Sequence, residues 1–177
     1  MSLDTQPPAA AAREAVNRRP ARRMVLIDVE NSSRAEHVAA MLAHLDLGTL
    51  GPALRVLAVG NWRVVGQETA RLLSARGAQL VHSAPAFGVK DWSDLRIAVA
   101  AGTWLGDARP GDMIDIVTDD QAFDAVGDVA ASRGVLFRRL SYRALVRSGT
   151  LSPSAPRARP HRAGGRRRRS PETRRGR

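Results

Sequence analysis

Three short stretches of this 177-residue chain place carboxylates where they can do chemistry. Asp28, followed by Val29, Glu30 and Asn31, closes the apolar run 24–27. Thr118, Asp119 and Asp120 close a second apolar run, 113–117, and Asp124 stands one helical turn beyond Asp120. Asp91 and Asp94 open a segment with helical spacing. Carboxylates held close repel one another, so gathering several costs free energy unless protons or cations intervene. Oxygen donors without any cysteine, and only four histidines, favour a hard ion such as Mg2+ or Mn2+ over zinc. Such an ion activates water and neutralises a phosphate during its transfer. Singly these residues are ordinary, because an Asp or Ser after a strand is a routine helix N-cap, and Asp91 or Asp119 alone reads that way. A convergent set is not explained by capping.

The elements that must position them follow from periodicity. Apolar, β-branched runs over 24–27, 54–59, 79–82, 113–117 and 135–140 read as five strands. Between them, helical spacing covers a segment capped by Ser32 or Ser33 and carrying Val38, Met41, Leu42 and Leu45, then 65–76, 93–105 and 122–133. Gly77 and Gly134 stop the second and fourth helices. Strands alternating with helices predict an α/β fold, an open parallel sheet of about five strands with helices on both faces. Ligands of such sheets sit at the carboxyl ends of the strands, near the point where strand order reverses. That is where Asp28 and Asp120 fall.

Charge divides the chain in three. The net +11 resolves into +3 over residues 1–23 (five basic, two acidic), −1 over 24–150 (13 and 14) and +9 over 151–177 (ten and one). We therefore expect a domain over 24–150 between a basic N-terminal tail, 1–23, with weak helical potential around 9–17, and an Arg-rich C-terminal tail, 151–177, both disordered. The absence of cysteine excludes disulfides, thiol catalysis and cysteine-ligated metals. No apolar run approaches the roughly 20 residues of a membrane helix, and no signal-peptide core is present, so a cytoplasmic protein without a membrane partner is expected. Neither phosphate-loop fingerprint, G-x-x-x-x-G-K-[ST] or G-x-G-x-x-G, occurs.

Four stretches in order carry a resemblance. Val25-Leu26-Ile27-Asp28-Val29-Glu30-Asn31, Val59-Gly60-Asn61-Trp62, Ala84-Pro85-Ala86-Phe87-Gly88-Val89-Lys90 with Asp94, and Ile116-Val117-Thr118-Asp119-Asp120-Gln121-Ala122-Phe123 together resemble the motifs of the NYN branch of the PIN-like metal-dependent ribonucleases. The resemblance implies a Rossmann-like three-layer sandwich with strand order 3-2-1-4-5. It also implies hydrolysis of RNA phosphodiesters with Mg2+ or Mn2+. Carried over, Asp28, Asp94 and Asp120 would be the catalytic, metal-holding acids, with Asp119 and Asp124 as further candidates. Asn31 would orient Asp28 or contact phosphate, Lys90 would face the scissile phosphate, and Trp62 with Arg63 would meet the RNA, the indole as a stacking surface. Two positions depart from the family: Ala100 and Ala122 stand where it often has acids. A catalytically degenerate relative that binds RNA or a protein is therefore the alternative.

The remaining features are weighed in the same way. Lys90 is the single lysine among 28 basic residues, and a compact point charge suits a phosphate where arginine's fork does not fit. Trp92 and Trp104 are expected to pack, His37 and His44 to be solvated, and His82 to be a satisfied edge residue. The ten arginines of the C-terminal tail suit single-stranded RNA phosphates. A homodimer or protein partner stays open. A haloacid-dehalogenase-like phosphatase is echoed by Asp28/Glu30 and Asp119/Asp120, but Glu30 is the wrong length for that class's acid/base, and 177 residues leave no cap domain.

Overall fold

A computed structural model describes residues 20–30, 34–47, 53–83 and 91–151. Five strands, β1 (Arg23–Asp28), β2 (Leu54–Gly60), β3 (Gln79–His82), β4 (Met113–Val117) and β5 (Leu136–Leu140), form one sheet in the order β3-β2-β1-β4-β5. All four pairings are parallel. The α/β architecture and the expected strand order are both present. The central strand β1 is buried at every residue, as a strand covered on both faces must be.

The helices are α1 (Ala35–Leu45), α2 (Gln67–Ala75), α3 (Trp92–Gly106), α4 (Asp124–Ser132) and α5 (Tyr142–Arg147). Alternation along β1 sends Val25 and Ile27 to one face, where Val38, Met41 and Leu42 of α1 and Leu73 of α2 meet them. Met24 and Leu26 point to the other, against Ile97, Ala101 and Leu105 of α3 and Ala130 of α4. The chain leaves β1 outward through β2 and β3, then crosses by α3 to β4 on the far side. Strand order therefore reverses between β1 and β4.

Local details differ from expectation. Arg34, not a serine, holds the N-cap position of α1 and makes no side-chain cap bond; Ser32 and Ser33 lie outside the described residues. The fourth helical segment opens as a 3-10 turn, Gln121–Phe123, before α4. The short α5 was not anticipated; the Ser141 hydroxyl caps it, accepting from the Ala144 N–H. Both tails fall largely outside the described residues. Among those described, no helix is long and apolar enough to cross a membrane.

Gly60 is required where β2 meets the end of β1. A Cβ there would lie 2.3 Å from Val29 Cγ2, so any larger residue would push apart the strand ends that carry the site.

Candidate functional site

The carboxyl edge at the β1/β4 reversal is built on Thr118. Its hydroxyl donates to Asp28 Oδ2 at 3.2 Å and accepts from the Asp120 N–H at 3.1 Å, joining the two strand ends. Asp28 Oδ1 accepts from the Glu30 N–H at 3.1 Å. Asp28 is thus fully buried beneath the site. Asp120 turns its Oδ1 to the Ala122 N–H at 2.9 Å, capping the 3-10 turn.

Glu30 sits on the same face of β1 as Asp28, two residues on, and ties three elements. Its Oε1 accepts from the Asn61 N–H at 2.9 Å, just past β2, and its Oε2 accepts from the Ser93 hydroxyl at 3.1 Å, in the first turn of α3. Asp91, at the N-cap of α3, has a left-handed backbone (φ 58°) and makes no capping bond. The capping explanation therefore fails for Asp91 and holds for Asp120.

Glu30, Asp91, Ser93, Asp94, Asp119 and Asp120 line one cavity of about 370 Å3. Burial, then the charges of Asp28, Asp120, Asp91 and Glu30, push the Asp94 carboxyl up to about 6. The expected acids Asp28, Asp94 and Asp120 therefore converge electrostatically, although Asp28 lies under the cavity rather than on its wall. Asp119 also reaches the wall but is held by the Ser141 hydroxyl and by Arg143 Nε at 3.0 Å. Asp124 is turned outward to Arg139 Nε at 2.7 Å, with its side chain 59% exposed. Glu30 and Asp91 were expected at this edge but not as ligands, and Ser93 was missed; the period of two from Asp28 is the signal that finds Glu30.

The donor set is all oxygen and anionic, and its mutual repulsion is what a cation would relieve. Among the described residues no three carboxylate or histidine groups close around one point. A hard cation held here would have few direct carboxylate ligands and would keep much of its own water.

The RNA-facing candidates separate. Trp62 packs against the α1/α2 core and donates its indole N–H to the Val81 carbonyl at 2.9 Å. Half-buried, it braces the β3 edge. Arg63 is exposed beside it, and Asn31 and Lys90 lie outside the described residues. His82 accepts the Trp62 N–H at Nδ1, 3.3 Å away, as a satisfied edge residue should. Trp104 packs as expected, but Trp92, at the start of α3, is 44% exposed. His37 is not a solvated surface residue: it stacks on Tyr142 with ring centroids 3.8 Å apart, joining α1 to α5. Burial, with help from Arg34, lowers its pKa.

Fold and site together define a doubly wound α/β protein with an acidic cavity at its topological switch point. No family model and no curated protein matches the chain.

Proposed function

We propose that this protein is a divalent-cation-dependent endoribonuclease of the NYN type that hydrolyses phosphodiester bonds of single-stranded RNA. The observation that carries this reading is the crowding of Asp94 by four other carboxylates at the strand-order reversal, which lifts its pKa to about 6. Structural carboxylates are normally paired with cations; these gather at a cavity instead. Asp94 and Asp120, with Glu30 on the β1 side, would hold Mg2+ or Mn2+ there. When bound, the ion supplies an activated water and neutralises phosphate charge. Asp28, buried, fixes Thr118, and Thr118 fixes Asp120. Asn31 and Lys90 would contact phosphate, Arg63 the strand, and the C-terminal arginines would add sequence-independent attraction. The proposed compartment is the cytoplasm.

The test is incubation of labelled single-stranded RNA with wild type, Asp94→Asn and Asp120→Asn proteins, in Mg2+ or Mn2+ and in excess chelator. Cleavage by wild type alone, abolished by chelator, is the expected result; undiminished cleavage in chelator overturns metal dependence. One observation favours the degenerate alternative: no closed set of three ligands exists among the described residues. Salt-sensitive RNA binding without cleavage in any metal would select it. The phosphatase reading loses ground, because its nucleophile would be Asp28, whose oxygens are both hydrogen-bonded and wholly buried.

A further inference from the structure

Each face of the sheet needs a layer of helices, and one place in those layers is vacant. On one face α1 and α2 cover β1, β2 and β3. On the other, α3 lies against β1 and β2 and α4 against β5, and among the described residues no helix covers the β2–β3 side. A groove of about 590 Å3 remains there, with Leu57 and Val81 on its sheet wall and Val99, Ala100 and Thr103 of α3 opposite. Val99, on this wall of the groove, is 65% exposed. A second groove-facing helix would bury it.

The chain itself arrives at this groove. Arg22 and Met24, where the chain enters β1, line its lower end. Arg22 is clamped there: its guanidinium bonds Asp112 Oδ2 at 2.9 Å, reaches the Asp107 carbonyl, and lies 5.4 Å from the Trp104 ring centroid. Whatever precedes Pro20 is therefore tethered at the mouth of the slot. Residues 9–17 are amphipathic when wound at about 100° per residue. Ala9, Ala12, Ala15 and Val16 fall on one side and Arg13, Glu14 and Asn17 on the other. Pro20 ends the pattern just before β1, and small residues allow a helix to approach a sheet closely. Nine helical residues span roughly 13 Å, against roughly 16 Å between Arg96 and Asp107 along α3.

We propose that residues 9–17 of this chain occupy the groove between α3 and the β2–β3 side of the sheet as the missing helix of that layer. A helix leading into β1 runs antiparallel to β1 and therefore parallel to α3. Ala12 then faces Val99, and Val16 faces Thr103. The inference is independent of the ribonuclease reading.

The chain has no cysteine, so two introduced thiols report on this pairing alone. In the full-length chain, Ala12→Cys/Val99→Cys is compared with Glu14→Cys/Val99→Cys, which puts the first thiol about 160° away, on the opposite side. Both are oxidised with oxidised glutathione at about 1 μM protein. A tether of this length gives an effective concentration of about a millimolar, so the Ala12 pair should close within the monomer at least ~10-fold faster than the Glu14 pair. Equal rates, no closure, or closure only between molecules overturns the proposal, the last by placing a second copy in the groove. A second measurement needs no thiol. Val99→Asp should lower Tm by about 4 °C or more if the groove is filled, and by less than about 1 °C if Val99 faces water. Ala12→Asp should add little to it, because both remove the same contact; full additivity also overturns the pairing.

Discussion

Two regions of this sheet hold buried or half-buried carboxylates, and they are built on opposite principles. In the body of the sheet, Asp115 is fully buried and takes Arg23 at 2.6 Å from β1 and Arg138 at 2.7 Å from β5. That carboxylate holds Arg138 above its usual pKa. Nearby, burial pushes Asp112 up, but N–H groups of Arg22 and Arg109 and the Arg22 guanidinium outweigh it and hold the carboxyl below its ordinary value. At the carboxyl edge, Asp94 has carboxylates for neighbours and moves the other way. The first pattern joins strands; the second stores repulsion that only a proton or a cation relieves. Direction of shift thus separates acids that hold the fold from acids available to a ligand.

The comparison breaks first at Asp115. Asp115→Asn should cost about 3–5 kcal/mol in urea unfolding, because Arg23 is left buried without its counter-charge. A cost below about 1 kcal/mol would mean that the triad is not what joins β1, β4 and β5. Asp112→Asn comes next, at about 2 kcal/mol at neutral pH, since it weakens a carboxylate that accepts two backbone N–H groups and a guanidinium. Its folded pKa is depressed, so its contribution is present above the ordinary value of 3.8 and lost as pH falls through the folded value. The difference between wild type and Asp112→Asn should therefore shrink on acidification below about pH 4.

Much of this contrast was legible in the sequence, and unevenly so. The strands and α3 announced themselves through apolar runs and period, and Asp28, Asp94 and Asp120 through their position after strands or at a helix start. Depth was not legible: Asp28 lies under the cavity because Thr118 and the Glu30 N–H take its oxygens, and long-range partners of that kind leave no spacing signature. The depths of Trp62 and Trp92 were illegible for the same reason. Loop position left Trp62 open to stacking or to packing, and its N–H finds the Val81 carbonyl; Trp92, expected to pack at the start of α3, is 44% exposed. Asp119 and Asp124 read as spare ligands until β5 and α5 supplied Arg139 and Arg143 from beyond the motif. The Asp115 pairing was invisible, since its partners lie 92 and 23 residues away.

A smaller effect tests the carboxyl edge directly. Asp94's folded pKa, about 6, stands above its ordinary 3.8, so the folded state holds that proton more tightly than the unfolded one. Its favourable contribution is complete below about pH 3.8 and is lost as pH rises through about 6. Above that, ionised Asp94 is a net burden, and Asp94→Asn should stabilise the metal-free protein at pH 7.5 by about 1 kcal/mol, part of the repulsion being screened by water. The gain should disappear near pH 3.5. Adding Mg2+ should raise Tm in wild type more than in Asp94→Asn. A variant no more stable than wild type in chelator at pH 7.5 would remove the difference between the two regions.

The smallest effect divides the cavity wall itself. Asp119 lines the cavity yet is not among the carboxylates that lift Asp94, and it is already engaged by Ser141 and by an Arg143 side chain that is 78% exposed. Such a solvated pair stabilises by about 0.5 kcal/mol or less, so Asp119→Asn should hardly move the unfolding midpoint. Asp120→Asn removes a charge that does act on Asp94 and should bring its titration down toward the ordinary range. Carboxyl carbon chemical shifts of Asp94 followed against pH in the two variants give the comparison. If Asp119→Asn lowers the Asp94 midpoint as far as Asp120→Asn does, Asp119 belongs with the repelling acids despite its arginine. If only Asp120→Asn does, an arginine from α5 has converted one wall of the site into structure, and the charge open to a ligand is that of Glu30, Asp91, Asp94 and Asp120.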